Sequence, residues 1–421
     1  MIHFKKTELK NGIRVVSELH PQSRAVAIGL WVLTGTRDES PKDAGISHFL
    51  EHLVFKGTKT RSAFQIAKAL ESLGGELNAY TTREYTCYHA IILKDHWKMG
   101  LEILSDLVAN MEISRADFAV EKSVILQEIA MGEDNLEELI YDIYFQKTLG
   151  KNPLSKPILG DEMSISAMTL KQIHSYYRDK YSGSNIILSA AGCIDHQELV
   201  DGVVEFLGSK KKKRFKKTRR RPGHRAIRAV VEKEAEQLHL LVGMPCSSFR
   251  DKYRFEAFVV NTLLGGGMTS KLYQSIREKR GLVYTIYSSL NTFEDFGIIN
   301  IYAACEPKNM KAVIRSLISE IKRVRRDGIT ENELEMFKTQ VIGGILLGSD
   351  DIENRMTSVG VNEMVFEKYK PVDAIVDEIK EVTVKSVNEF MDRYLNLEEA
   401  GWLLMGGQAS EFENYLKNLE V

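Results

Sequence analysis

The chain has 421 residues, with 57 Lys and Arg against 58 Asp and Glu and a formal charge of −1. That length holds two or three domains with ample core, and the near-neutral balance gives no reason to expect a nucleic-acid partner. No stretch approaches the roughly 18 uninterrupted apolar residues of a membrane span, and the opening residues 1–12 have no apolar leader core. Cys87, Cys193, Cys246 and Cys305 stand singly, as free thiols in a reducing compartment would. A cytoplasmic protein without membrane attachment is expected.

In chain order, residues 9–17 carry an Asn11-Gly12 turn between apolar positions, a hairpin signal. Residues 25–33 are an apolar run of buried-strand length. A polar loop then leads to the helix that holds His48-Phe49-Leu50-Glu51-His52. Positions i, i+3 and i+4 of a helix share a face, so His48, Glu51 and His52 point together. Two imidazoles one turn apart can hold zinc, and a free carboxylate beside them can take a proton from a metal-activated water. The spacing H-x-x-E-H is a zinc-protease motif in inverted order. A satisfied structural cluster is the competing reading, but a polar trio on an apolar helix is costly without partners.

A second helix is expected at about 62–73, ended by Gly74-Gly75, and residues 76–93 read as two strands with a turn near Thr82-Arg83. Helices follow at 96–111, 115–133, 136–148 and 168–180, then a strand at 185–192 and a helix at 196–207. The helix at 115–133 offers two carboxylates for a third ligand, Glu121 and Glu128, on about one face among Val120, Val124, Ile125 and Ile129. Surface glutamates on a charged helix are the bland alternative.

Ten of the twelve residues 210–221 are Lys or Arg, which leaves 47 basic against 58 acidic residues elsewhere. We read 209–224 as a basic linker, solvated or docked on the protein's own acidic surface. A polyanion anchor would want more aromatic interleaving than Phe215 alone provides. Beyond it the plan repeats, with strands at 226–231, 239–245, 284–290, 298–304 and 401–406. Helices are expected at 251–264, 269–279, 308–326, 330–348 and 383–394. Residues 168–176 align with 382–390 at an offset of 214, which also carries Gly192 onto Gly406. The expectation is an α+β chain of two homologous domains in tandem, 1–208 and 225–421, each an antiparallel sheet covered by helices. The second copy has no histidine at 255–264, so it cannot hold a metal as the first would.

His48, Glu51 and His52, followed by Glu128 with Glu121 seven residues before it, resemble the pitrilysin/insulinase family of zinc proteases. Within that family the chain is similar to single-chain bacterial relatives of the mitochondrial processing peptidase β-subunit, over essentially its whole length. The resemblance implies one Zn2+ per chain on His48, His52 and Glu128, with Glu51 as general base and Glu121 supporting the site. It implies that Asn78 and Ala79 lie on an edge strand that receives an extended substrate, and that Arg277 and Tyr284 bind substrate backbone and the reacting carbonyl. A clam-like dimer, with itself or a paralogue, would enclose unfolded or short peptides for endoproteolysis, possible presequence-type processing included. A non-catalytic partner subunit is the alternative, and the intact motif argues against it. His89, in an apolar strand, reads as a core histidine.

Overall fold

The computed structural model describes residues 3–213 and 218–421. Residues 214–217 of the basic run, Phe215 among them, lie outside the described residues. Two compact units are present.

The first sheet contains β1 (His3–Glu8), β2 (Arg14–Leu19), β3 (Ala25–Val32), β4 (Glu76–Thr81), β5 (Thr86–Leu93) and β6 (Ile186–Gly192), in the order β1-β2-β6-β3-β5-β4. The helices of this half of the sequence are α1 (Ile46–Val54), α2 (Ala63–Glu71), α3 (Trp97–Ala109), α4 (Arg115–Asp134), α5 (Leu136–Leu149), α6 (Glu162–Ala167), α7 (Leu170–Lys180) and α8 (His196–Leu207). The second sheet contains β7 (Arg228–Glu232), β8 (Leu238–Cys246), β9 (Thr285–Thr292), β10 (Gly297–Cys305) and β11 (Gly401–Gly406), in the order β7-β11-β8-β10-β9. Its half supplies α9 (Arg254–Gly265), α10 (Pro307–Asp327), α11 (Glu331–Ser349), α12 (Ile352–Phe366), α13 (Val372–Lys380), α14 (Val384–Tyr394) and α15 (Glu413–Lys417). Where a helix at 269–279 is expected, residues Tyr273–Glu278 form a π-helical turn.

The α+β class holds, with one refinement. Each sheet is mixed, because β6 runs parallel to β2 and β11 runs parallel to β7. A parallel neighbour needs a long crossover, and here the intervening helices provide it. The repeat extends to details of the backbone and caps, although one sheet has six strands and the other five. Gly192 and Gly406 both sit at positive φ, 134° and 138°, and an added Cβ would lie 2.5 Å from the Ala25 carbonyl and 2.3 Å from that of Gln237. Thr169 and Thr383 each cap a helix with the hydroxyl. Lys122 Nζ donates to the Ser166 and Met168 carbonyls, and Lys338 Nζ to those of Lys380 and Val382.

The units do not follow the expected division at 208 and 225. Unit 1 contains 1–131, 156–219 and 347–370, and unit 2 contains the rest, so each half of the sequence gives a helix to the other unit. The physical reason lies in the strands, whose alternate side chains face opposite ways. On β3, Val26, Ile28, Leu30 and Val32 join the core with α1 and α3. Ala27 and Trp31 face the other way, against Met356 and Val359 of α12. On unit 2, Leu241, Tyr302 and Leu403 are covered by Ile140, Tyr144 and Phe145 of α5. A sheet apolar on both faces needs a second cover, and these helices provide it.

Most described residues of the basic run are exposed, but several of its side chains are tied to unit 1. Lys210 Nζ donates to the Val108 and Tyr181 carbonyls, Lys213 pairs with Asp179, and Arg219 pairs with Asp38 at 2.6 Å. Among the described residues, no helix is long and apolar enough to cross a membrane.

Helix α12 is also tied by charge. Glu18, fully buried on β2, accepts from Arg355 at 2.6 and 2.8 Å, from Tyr369 and from His20. Burial alone would raise the Glu18 carboxyl, but the bonds from His20 and Arg355, the Arg355 charge and the Tyr369 hydroxyl outweigh it and hold it at about 2. That value lies below the ordinary 4.5, so the contribution to stability is complete above about pH 4.5 and is lost as pH falls toward 2. Arg355→Met strands the carboxylate and should cost about 3–5 kcal/mol in urea unfolding at neutral pH. The wild type should lose stability across that acid interval more steeply than the variant.

Candidate metal centre

Helix α1 is held by its apolar side. Phe49, Leu50, Leu53 and Val54 are fully buried, and Phe49 stacks on Phe118 of α4 with ring centroids 5.2 Å apart. Its first turn is capped from a distance. Glu39, buried in the preceding loop, accepts from the Gly45 and Ser47 amides at 2.9 Å each. Burial pushes the Glu39 carboxyl up to about 7, against those amide bonds and the nearby Lys156 charge. The Ser47 hydroxyl is bonded to that of Tyr176. The entry of the motif helix is thus fixed before its functional residues begin.

Those residues then meet α4. Of the expected apolar neighbours on that helix, Ile125 is buried and Ile129 half-buried, while Val120 and Val124 are exposed. The covered face is therefore the one through Glu121 and Ile125, with Glu128 half-buried further along it. His48 Nε2 lies 3.8 Å from Glu128 Oε1, and His52 Nε2 lies 3.5 Å from Glu128 Oε2. One ligand atom from each of His48, His52 and Glu128 can be chosen so that all lie within 4.8 Å of one another. Zinc bonded to such atoms at about 2.0–2.1 Å in a tetrahedron would space them about 3.4 Å apart. Two imidazoles and one carboxylate are also a donor set that zinc takes in catalytic sites. Among the described residues, Glu128 Oε2, the atom that faces His52 Nε2, is a buried atom without a hydrogen-bond partner. A polar atom left so is costly unless something else satisfies it, and the residues fit a metal ion.

Electrostatics agree. Burial, with the neighbouring His52, pushes His48 down to about 4, so its imidazole is neutral and has a lone pair to give. Glu121, 3% exposed, accepts from His52 Nδ1 at 3.2 Å through Oε2, and its Oε1 is 2.5 Å from Lys56 Nζ. Glu51 stands between the histidines in sequence but bonds elsewhere, accepting from the Thr81 hydroxyl at 2.5 Å. Burial raises the Glu51 carboxyl above its ordinary value, and the Glu128 charge adds to that against the Thr81 bond and His52.

Thr81 ends β4, an edge strand that among the described residues pairs only with β5. Asn78 is exposed on that strand and Ala79 half-buried, so the free edge leads along them to the carboxylate of Glu51. Arg277 and Tyr284 belong to unit 2. The Arg277 guanidinium lies 4.8 Å from the Tyr273 ring and 5.3 Å from that of Tyr284, which is 76% exposed. His89 is a core histidine paired with Glu353 at 2.9 Å. The sequence reading missed Thr81, Lys56 and Glu39. Only Glu39, an acid in a polar loop ahead of a helix, left a signal that could have been followed.

Residues 14–162 match the family model described as insulinase, peptidase family M16, and residues 167–341 match that of the peptidase M16 inactive domain. A protein of Mycobacterium leprae described as an uncharacterized zinc protease is 38% identical over 96% of this chain and 92% of its own length. A Bacillus subtilis protein described as the uncharacterized zinc protease YmxG is 35% identical over 91% of this chain and 94% of its own. The fold is that of a protease from Helicobacter pylori, with a TM-score of 0.89 at 20% identity, covering 96% of this chain and 100% of that one. At such identity over nearly its whole length, the chain belongs to peptidase family M16, the insulinase family of zinc proteases.

Proposed function

We propose that this chain is a zinc-dependent endopeptidase acting on extended, unfolded or short peptides, with one zinc per chain held by His48, His52 and Glu128. The observation that carries this reading is the meeting of three metal donors with a separate carboxylate, Glu51, at the end of a free sheet edge. A substrate backbone added to that edge by β-pairing would run past Asn78 and Ala79 toward Glu51.

The chemistry supplied by a zinc ion held there is Lewis acidity toward the scissile carbonyl and a lowered pKa for the attacking water. The protein's own groups do the rest. Glu51, steadied by Thr81, accepts the water's proton and passes it to the leaving amine. Glu121 fixes which nitrogen of His52 is free by accepting from Nδ1. Carbonyl binding by Arg277 and oxyanion stabilisation by Tyr284 come to the proposal from the family resemblance. So does pairing with a second copy or a paralogue, because the resemblance implies an enclosing chamber of four domains and this chain supplies two. A processing role for particular leader peptides is one form this activity could take.

Hydrolysis of a quenched fluorescent peptide library tests the proposal. Activity should vanish with a zinc chelator, return with zinc, and fall about 10²- to 10⁴-fold in Glu51→Gln while that variant still takes up zinc. A zinc-loaded wild type that cleaves nothing, alone or with a co-purified partner, would instead favour a scaffold role. Thr81→Val removes the bond to the Glu51 carboxylate, worth about 1.5–3 kcal/mol, and should lower kcat about 10- to 100-fold with little change in KM.

A further inference from the structure

We propose that Lys56 is a positioning residue for the metal centre, holding Glu121 so that Glu121 can orient His52. The inference rests on the zinc reading above and extends it beyond the residues that the motif names.

Lys56 lies just past the end of α1, where its amide donates to the Leu53 carbonyl at 3.1 Å and Phe55 donates to His52. Its ammonium reaches across to α4. A continuous row results, from Lys56 Nζ to Glu121 Oε1 at 2.5 Å, then from Glu121 Oε2 to His52 Nδ1 at 3.2 Å, with His52 Nε2 turned toward Glu128. Each Glu121 oxygen thus has a polar partner of its own, so the carboxylate is gripped at both ends and cannot rotate away from the imidazole.

The charge balance requires such a grip. The Glu121 side chain is 4% exposed, and a buried carboxylate that loses its counter-charge is strongly destabilised. His52 cannot supply that charge while it serves as a metal ligand, because a ligating imidazole is neutral. The Lys56 ammonium, 35% exposed, supplies it and remains partly hydrated. An ordinary surface ion pair would be worth little, but one partner here is buried and bonded to a proposed ligand. Loss of a residue that orients a metal-binding histidine weakens metal affinity about 10- to 100-fold.

Zinc titration of metal-free protein against a competing fluorescent chelator decides the matter. Lys56→Met should weaken zinc binding about 10- to 100-fold and Lys56→Arg should stay within about threefold of wild type. Glu121→Gln should lose a comparable factor, and the double variant Lys56→Met, Glu121→Gln should be no weaker than the weaker single variant, because both act through one path. A folded Lys56→Met with wild-type affinity, or losses that multiply in the double variant, would overturn the proposal. Urea unfolding of the metal-free forms checks the fold, and Lys56→Gln takes the place of the methionine variant if that one does not fold. A wild type that takes up no zinc would overturn the zinc reading itself, which is a different outcome from a wild type that binds and a variant that binds equally.

Discussion

An apolar helix that must also carry three ionisable groups is the constraint on which the first unit is built. The apolar side of α1 is fully buried, so His48, Glu51 and His52 are drawn into partly dry surroundings and each needs something to bond. The answers come from several directions. Helix α4 brings Glu121 and Glu128, the end of β4 brings Thr81, and the loop before the helix brings Glu39 to its first amides. Burial that packs the helix also keeps His48 neutral and raises Glu51, so packing and chemistry have one origin.

The second unit shows what becomes of the same frame without that constraint. Lys122 and Lys338 make the same pair of carbonyl contacts and so set α4 and α11 in register. In that register Phe337 stands where the first unit has Glu121, and Gly344 where it has Glu128. Phe337 is buried in the unit 2 core, an apolar residue filling space once a carboxylate and its partners are not required there. The frame was kept and the site was not.

Much of this was legible in the sequence, because the motif is local: positions 48, 51 and 52 must share a helix face whatever the rest of the chain does. The offset of 214 between Gly192 and Gly406 was legible for a similar reason, since both residues occupy a backbone conformation that favours glycine. Long-range partners were not. Thr81 is an unremarkable strand threonine until the fold brings it to Glu51, and Lys56 one lysine among many until α4 arrives. Helix α12 escaped notice because it lacks a clean apolar stripe. Arg355 and Glu363 occupy its buried side and are neutralised by Glu18 and Arg14. The basic run marked a change of composition, and the actual division of the chain follows which sheet face each helix covers.

The exchanged helices bear on how the protein is made. A ribosome delivers residues 1–208 before the rest, with every proposed metal ligand already present, yet Trp31 then lacks Met356 and Val359, and Glu18 lacks Arg355 and Tyr369. Helix α12 and Tyr369 emerge more than 140 residues later. The first sheet must wait, one apolar face and one buried acid exposed, until residue 370 has left the tunnel. Contacts this distant in sequence make folding slow and leave its intermediates prone to aggregate. A fragment ending at the basic segment would carry the whole motif but lack residues 347–370 of its own compact unit, so the motif and the domain that holds it do not end at the same place in the chain.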